Sequence, residues 1–187
     1  MKNTDVVTAI DDFGPMGLIR LFNEPAGKEY LAAQGVAQTL VDDLHLMGIS
    51  SIANVLAAIK TAKYYEMDES DVIVTMATDS MEMYQSRLDE LRDEEGEFTP
   101  TDAAATFHRY MLGETTDNMR ELSYVDRKRI HNLKYFTWVE QQGKTYDEIQ
   151  AQWYEHDYWT GIHDSMEEID RLIENFNERT GLLKNLG

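Results

Sequence analysis

Hydrophobic positions follow two rhythms along this chain, and the change falls near Gln85. In the first half, Asp5-Val6-Val7-Thr8-Ala9-Ile10 is a short β-branched run that stops at Asp11-Asp12 and predicts a strand. Leu18, Ile19, Leu21 and Phe22 then mark a helical apolar face that breaks at Pro25. Proline suits the first turn of a new helix, so residues 25–34 predict a restart that Gly35 ends. Ile52, Val55, Leu56 and Ile59 share one face of a helix predicted over 51–65, after a turn at Gly48. Val72-Ile73-Val74-Thr75-Met76-Ala77 is apolar almost without alternation, the pattern of a strand buried on both faces of a parallel sheet.

Beyond Gln85 the signals are helical punctuation. Thr99-Pro100 opens a helix that Gly113 can end. Ser123-Tyr124-Val125-Asp126 resembles a capping box, with Asp in place of the preferred Glu or Gln, and opens a helix to about Gln142 before Gly143. Thr145 with Glu148 forms a second box. Met166, Ile169, Leu172, Ile173 and Phe176 predict a last helix over roughly 157–180, followed by Gly181. The expected fold is therefore an α/β remnant over 1–85, with two or so parallel strands and flanking helices, then an all-α extension over 86–187. Helix dominates overall. Two open-edged strands are not independently stable, so the pattern asks for a partner, either a complementing polypeptide or a second copy paired through the strand edges.

Composition narrows the partners. The formal charge is −18, from 35 acidic and 17 basic residues, which disfavours nucleic acid and anionic membranes. Residues 66–104 concentrate the imbalance, with 13 acids against Arg87 and Arg92, either as a solvated surface or as a docking face for a basic partner. Arg127, Lys128, Arg129 and Lys134 form one basic patch, suited to the chain's own acidic 66–104 segment or to a partner's acidic face rather than to nucleic acid. No run of 18 apolar residues predicts a membrane span, and the first residues carry no apolar signal-peptide core, so the expected location is the cytoplasm. Cysteine is absent, which removes disulfide and thiolate chemistry.

The polar turns are the candidate chemistry. Gly48-Ile49-Ser50-Ser51 feeds an alanine-containing helix, and Thr78-Asp79-Ser80 follows the buried apolar run. Ser50 and Ser51 read equally as helix caps, and Asp79-Ser80 as a strand-ending turn. Lys60, Lys63, Lys128 and Lys134 read as surface charges, because a reactive lysine needs desolvation or a cationic neighbour in a pocket. His156 and His163 lack the helical spacing of metal ligands, so no metal site is expected. Trp153, Tyr154, Tyr158 and Trp159 read as a packing cluster.

In this order, Gly48-Ile49-Ser50-Ser51, the following helix, Val72–Ala77 and Asp79-Ser80-Met81-Glu82-Met83-Tyr84 resemble the late motifs of cysteine synthase and its relatives. These are pyridoxal-phosphate enzymes of the tryptophan synthase β fold. The tail, including Asp126-Arg127-Lys128-Arg129-Ile130-His131-Asn132-Leu133-Lys134-Tyr135-Phe136-Thr137-Trp138-Val139-Glu140-Gln141-Gln142-Gly143-Lys144, is similar to a bacterial subgroup named "pyridoxal-phosphate-dependent protein subunit beta".

The resemblance covers the chain only as the carboxyl-terminal part of a longer protein. It implies that Ser50, with Ser51 as second choice, hydrogen-bonds the cofactor's pyridine nitrogen, with Gly48, Asp79 and Ser80 beside the ring. The glycine that follows the serines in the family is Ile52 here. The family's Schiff-base lysine and glycine-rich phosphate loop belong to its amino-terminal portion and have no counterpart in this sequence. The implied activity is thus part of a lyase or β-replacement enzyme, catalytically incomplete alone, binding pyridoxal phosphate only when completed. The alternative is a non-catalytic, acidic, helical interaction module.

Overall fold

The computed structural model describes residues 2–181, and by its contacts the chain divides into two compact units. One is Val6–Glu121; the other joins Leu122 onward to the residues before Val6. By contacts the division falls between Glu121 and Leu122.

The Val6–Glu121 unit begins with β1 (Val6–Thr8), followed by α1 (Phe13–Asn23), α2 (Pro25–Ala33), α3 (Gln38–Asp43) and α4 (Ile49–Tyr64). Asp11 Oδ1 accepts the Phe13 and Gly14 amides at 2.9 and 3.2 Å and so caps α1. Pro25 takes the first position of α2, where its missing N–H costs nothing, and Gly35 leaves that helix at a φ of 89°. Next come α5 (Gln85–Glu95), preceded by a 3-10 turn at Met81–Tyr84, and α6 (Pro100–Thr106), which runs on as a π turn to Leu112. Thr99 and Asp102 cap α6 reciprocally. The core forms where Leu18, Ile19, Leu21 and Phe22 of α1 meet Ile52 and Leu56 of α4, with Leu31, Met81 and Leu88 around them. Arg20 lies within this buried run, 3% exposed, and Arg20 and Arg92 both pair with the buried Glu24.

The strands differ from the expected parallel pair. β1 pairs antiparallel with β2 (Met119–Glu121), with Val6 opposite Glu121 and Thr8 opposite Met119. Val72–Ala77 forms no strand among the described residues: Val72, Val74 and Met76 are 82%, 86% and 71% exposed. Strand geometry needs a neighbouring backbone to satisfy its amides and carbonyls, and among the described residues the sheet contains β1 and β2 alone.

The second unit contains α7 (Tyr124–Asn132), α8 (Tyr146–Tyr154), α9 (Asp157–Asp164) and α10 (Met166–Thr180). Ser123 and Asp126 form a full capping box for α7; Thr145 accepts the Glu148 amide at the start of α8. The predicted last helix is two helices, broken at Ser165, whose hydroxyl bonds the Ile162 carbonyl. Gly143 and Gly181 close their helices at φ of 68° and 66°, the left-handed region glycine enters without penalty. Ile149, Trp153, Leu122, His131 and Gln152 are buried here. Among the described residues no helix is long and apolar enough to cross a membrane.

Candidate functional site

The two polar turns meet. Gly48 is the N-cap residue of α4, and a glycine cap offers no side-chain acceptor for the helix's free amides. Asp79 supplies it from elsewhere in the chain. Its Oδ1 accepts the Ser51 amide at 2.9 Å and its Oδ2 the Ser50 amide at 3.2 Å. The Ser51 hydroxyl donates to Oδ1 at 2.8 Å and accepts the Asp79 amide at 3.3 Å, and the Gly48 amide donates to the Asp79 carbonyl at 3.0 Å. Glycine is required here by space: a Cβ at residue 48 would lie 2.7 Å from Asp79 Cγ and 2.8 Å from Tyr84 Cε2.

The electrostatics follow. Partial desolvation works against the charge on Asp79, but hydrogen bonds from the Ser51 hydroxyl, Tyr84 and the Ser51 and Ser50 amides outweigh it and hold the group at about 2. The same bond to the anion pushes the Tyr84 phenol up. A carboxylate at a helix N-terminus is also favoured by the helix dipole.

Of the predicted site residues, Gly48, Ser50, Ser51 and Asp79 are thus brought together, while Ser80 turns to its own chain and accepts the Glu82 amide at 3.3 Å. Ser51 is 2% exposed and its hydroxyl is committed to Asp79. Ser50 is exposed, and its hydroxyl has no partner among the described residues. Tyr84, which follows this turn, hydrogen-bonds Asp79.

Pyridoxal phosphate asks three things of a pocket: an amine for its aldehyde, donors for its phosphate and a group at its pyridine nitrogen. The described residues fit the last of these only, through the Ser50 hydroxyl. The α4 amides that an anion would use already hold Asp79. Lys60 and Lys63, the cations of α4, are committed to other groups. Lys63 Nζ donates to the Leu112 and Glu114 carbonyls at 2.7 and 2.8 Å. Lys60 corrects the surface reading. It is 4% exposed, donates to the Ala9 and Asp117 carbonyls at 3.0 and 3.1 Å, and pairs with Glu114 at 3.3 Å. The spacing carried that signal, because Ile52, Leu56 and Lys60 recur every fourth residue on the buried face. Arg20 carried a similar one, lying between Ile19 and Leu21 and four residues before Glu24.

Among the described residues no group of three or more histidine, aspartate or glutamate side chains could hold a metal ion. Compared with models of known families, with curated proteins and with solved structures, the chain matches none.

Proposed function

We propose that this chain is the carboxyl-terminal part of a cytoplasmic pyridoxal-phosphate enzyme related to cysteine synthase and the tryptophan synthase β fold. It serves elimination or β-replacement on an amino acid, either as a split subunit or as a fragment of a longer enzyme, and it is catalytically incomplete alone. One observation carries the reading: the turns at Gly48–Ser51 and Asp79, far apart in sequence, close on each other and leave the Ser50 hydroxyl facing out. A neutral hydroxyl at a pyridine nitrogen keeps the ring unprotonated. The remainder of the pocket, including the amine and the phosphate donors, comes from a complementing polypeptide.

The exposed run Val72–Met76 supports the incompleteness. Its side chains suit a buried strand, and it leads directly into Asp79. A partner or a second copy that adds a strand there would bury it.

The test is cofactor addition to the purified chain, followed by borohydride reduction and peptide mapping. The expected result is no stoichiometric lysine adduct, together with hydrogen exchange in 71–78 that stays fast until a complementing polypeptide is added. A stoichiometric adduct at one lysine in the isolated chain overturns the incomplete site.

A second reading, an acidic interaction module, has one observation in its favour. α10 exposes Met166, Ile169, Ile173 and Phe176 along one face, flanked by Glu167, Glu168, Asp170 and Glu174. That face suits a basic amphipathic helix. A stable monomer that ignores both the cofactor and any α/β partner, yet binds such a helix, would favour this reading over the first.

A further inference from the structure

The second unit holds a cleft of about 230 Å³, unrelated to the Ser50 turn and lined in part by Lys2, His131, Lys134, Gln152 and Trp159. By volume it has room for about seven waters. In a chain of formal charge −18, this cleft has two lysines in its lining and no acid.

Lys134 is the centre of the argument. Its Nζ donates to Gln152 Oε1 at 2.6 Å and lies 5.0 Å from the centroid of the Trp138 ring. Both partners are neutral. No carboxylate among the described residues pairs with it, so a full positive charge is partly withdrawn from water without a counterion. Gln152, 1% exposed, is held by its Nε2 to the Tyr158 hydroxyl at 3.3 Å, and its carbonyl accepts Trp159 Nε1 at 3.1 Å. One buried residue, through its side-chain oxygen and its backbone carbonyl, thus fixes the ammonium and a half-exposed aromatic ring together.

We propose that this cleft binds a small carboxylate with a flat apolar body, the carboxylate taken by Lys134 and the body laid against Trp159. An ammonium with open N–H groups in a cleft free of acids forms short charge-assisted bonds to a carboxylate. An indole face adds apolar area and favours planar partners. The electrostatics of the cleft agree. Burial pulls the Lys134 ammonium down. Burial likewise pulls His131 down, helped by Lys134 and Lys128 and opposed by its bond to the Ile149 carbonyl. Among the described residues the groups around His131 include Lys128 and Lys134 from its own segment, Lys2 from the chain start, and the uncharged Gln152 and Trp153 from α8; the amino-terminal ammonium acts in the same direction as the lysines. A bound anion has to raise both groups.

The experiment follows the His131 ring by NMR while sodium benzoate is titrated into the full chain at constant ionic strength. The expected result is a saturable rise of the His131 pKa. Acetate should bind about tenfold or more weaker, for want of the flat body. Lys134→Gln should weaken benzoate about tenfold or more, the weight of one charge-assisted bond, and Lys134→Arg should restore most of it. Trp159→Ala, at an exposed position, keeps the test open if Lys134→Gln fails to fold, and it too should weaken benzoate. Benzoate leaving His131 where chloride leaves it, binding indifferent to both variants, or inorganic phosphate equalling benzoate would each overturn the proposal.

Discussion

Asp79 caps α4 from 28 residues away, its Oδ1 lying 2.9 Å from the Ser51 amide and 2.8 Å from the Ser51 hydroxyl. A cap normally belongs to the residue that begins the helix; here that residue is Gly48, and the acceptor arrives from the far end of a long loop. The bond therefore serves two ends at once, satisfying the first turn of α4 and pinning the segment that precedes Met81. Asp79→Ala should cost about 2 kcal/mol, because it removes a cap and leaves the Ser50 and Ser51 amides without their acceptor, while the Ser51 hydroxyl keeps the residue 79 carbonyl at 3.0 Å. Denaturant unfolding checks the loss. Asp79→Asn, which keeps one carbonyl acceptor, should lose less.

Gly48→Ala tests the same contact from the opposite side. Residue 48 has an ordinary φ of −82°, so the added methyl strains no dihedral. It does collide with the Asp79 carboxylate and the Tyr84 ring, both under 3 Å away. The carboxylate has to leave its amides or the loop has to move, at about 1–3 kcal/mol. A carbon-detected titration of Asp79 should show its pKa returning toward 3.8 in this variant. An unchanged value near 2 would mean the contact is not as drawn.

Acid should release the cap in a defined window. Asp79 is held at about 2 against an ordinary value of 3.8, so the unfolded chain takes up this proton first as pH falls. The stabilisation is fully present above about pH 4 and is lost as pH falls through about 2. After allowance for solvent screening it amounts to about 1–2 kcal/mol. Relative to Asp79→Asn, the native chain should lose this margin between pH 4 and 2, and hydrogen exchange at the Ser50 and Ser51 amides should rise with it.

What was legible in the sequence follows how local each cause is. Pro25 with Gly35 marked α2, Thr99-Pro100 marked α6, and the Ser123–Asp126 pattern marked α7, because capping and proline geometry act within a few residues. The family resemblance set Gly48, Ser50 and Asp79 around one ring, but nothing local in either turn signalled that Asp79 caps α4 directly. Val72–Ala77 failed as a strand for a non-local reason, since a strand exists only when another backbone lies beside it. β2 was invisible for the same reason: Met119-Arg120-Glu121 has no strand pattern, and β1 recruits it. The lysine reading failed where charge outvoted position, because Lys60 lies on the apolar face of its helix.

Lys60 gives a prediction that separates a structural lysine from a reactive one. Its ammonium ties the Ala9 and Asp117 carbonyls to Glu114, so it holds the end of β1 and the 114–117 loop against α4. Lys60→Met keeps the apolar stem but strands a largely buried carboxylate and two carbonyls. The variant should lose about 2–4 kcal/mol in denaturant unfolding. The double variant Lys60→Met, Glu114→Gln should recover part of it, since the one carboxylate then left without Lys60 is that of Asp117, which is exposed. Equal losses in the two would show that the pair contributes packing alone.

The second unit should weaken near neutral pH through His131. The ring is 2% exposed, lies 5.0 Å from the Trp153 ring and donates from Nε2 to the Ile149 carbonyl at 2.9 Å, which leaves Nδ1 unprotonated in the neutral form. Burial is the main cause that lowers its pKa below 6.5, with Lys134 and Lys128 adding to it. The unfolded chain therefore binds this proton more readily than the folded one. The stabilisation is fully present above pH 6.5 and declines as pH falls through the lower, folded-state value. Thermal melts followed by near-ultraviolet circular dichroism, which senses Trp153, should show the midpoint falling from pH 7.5 to 5. His131→Gln, whose amide can still reach the Ile149 carbonyl, should flatten that slope, and a slope unchanged by the substitution would assign the pH response to another group.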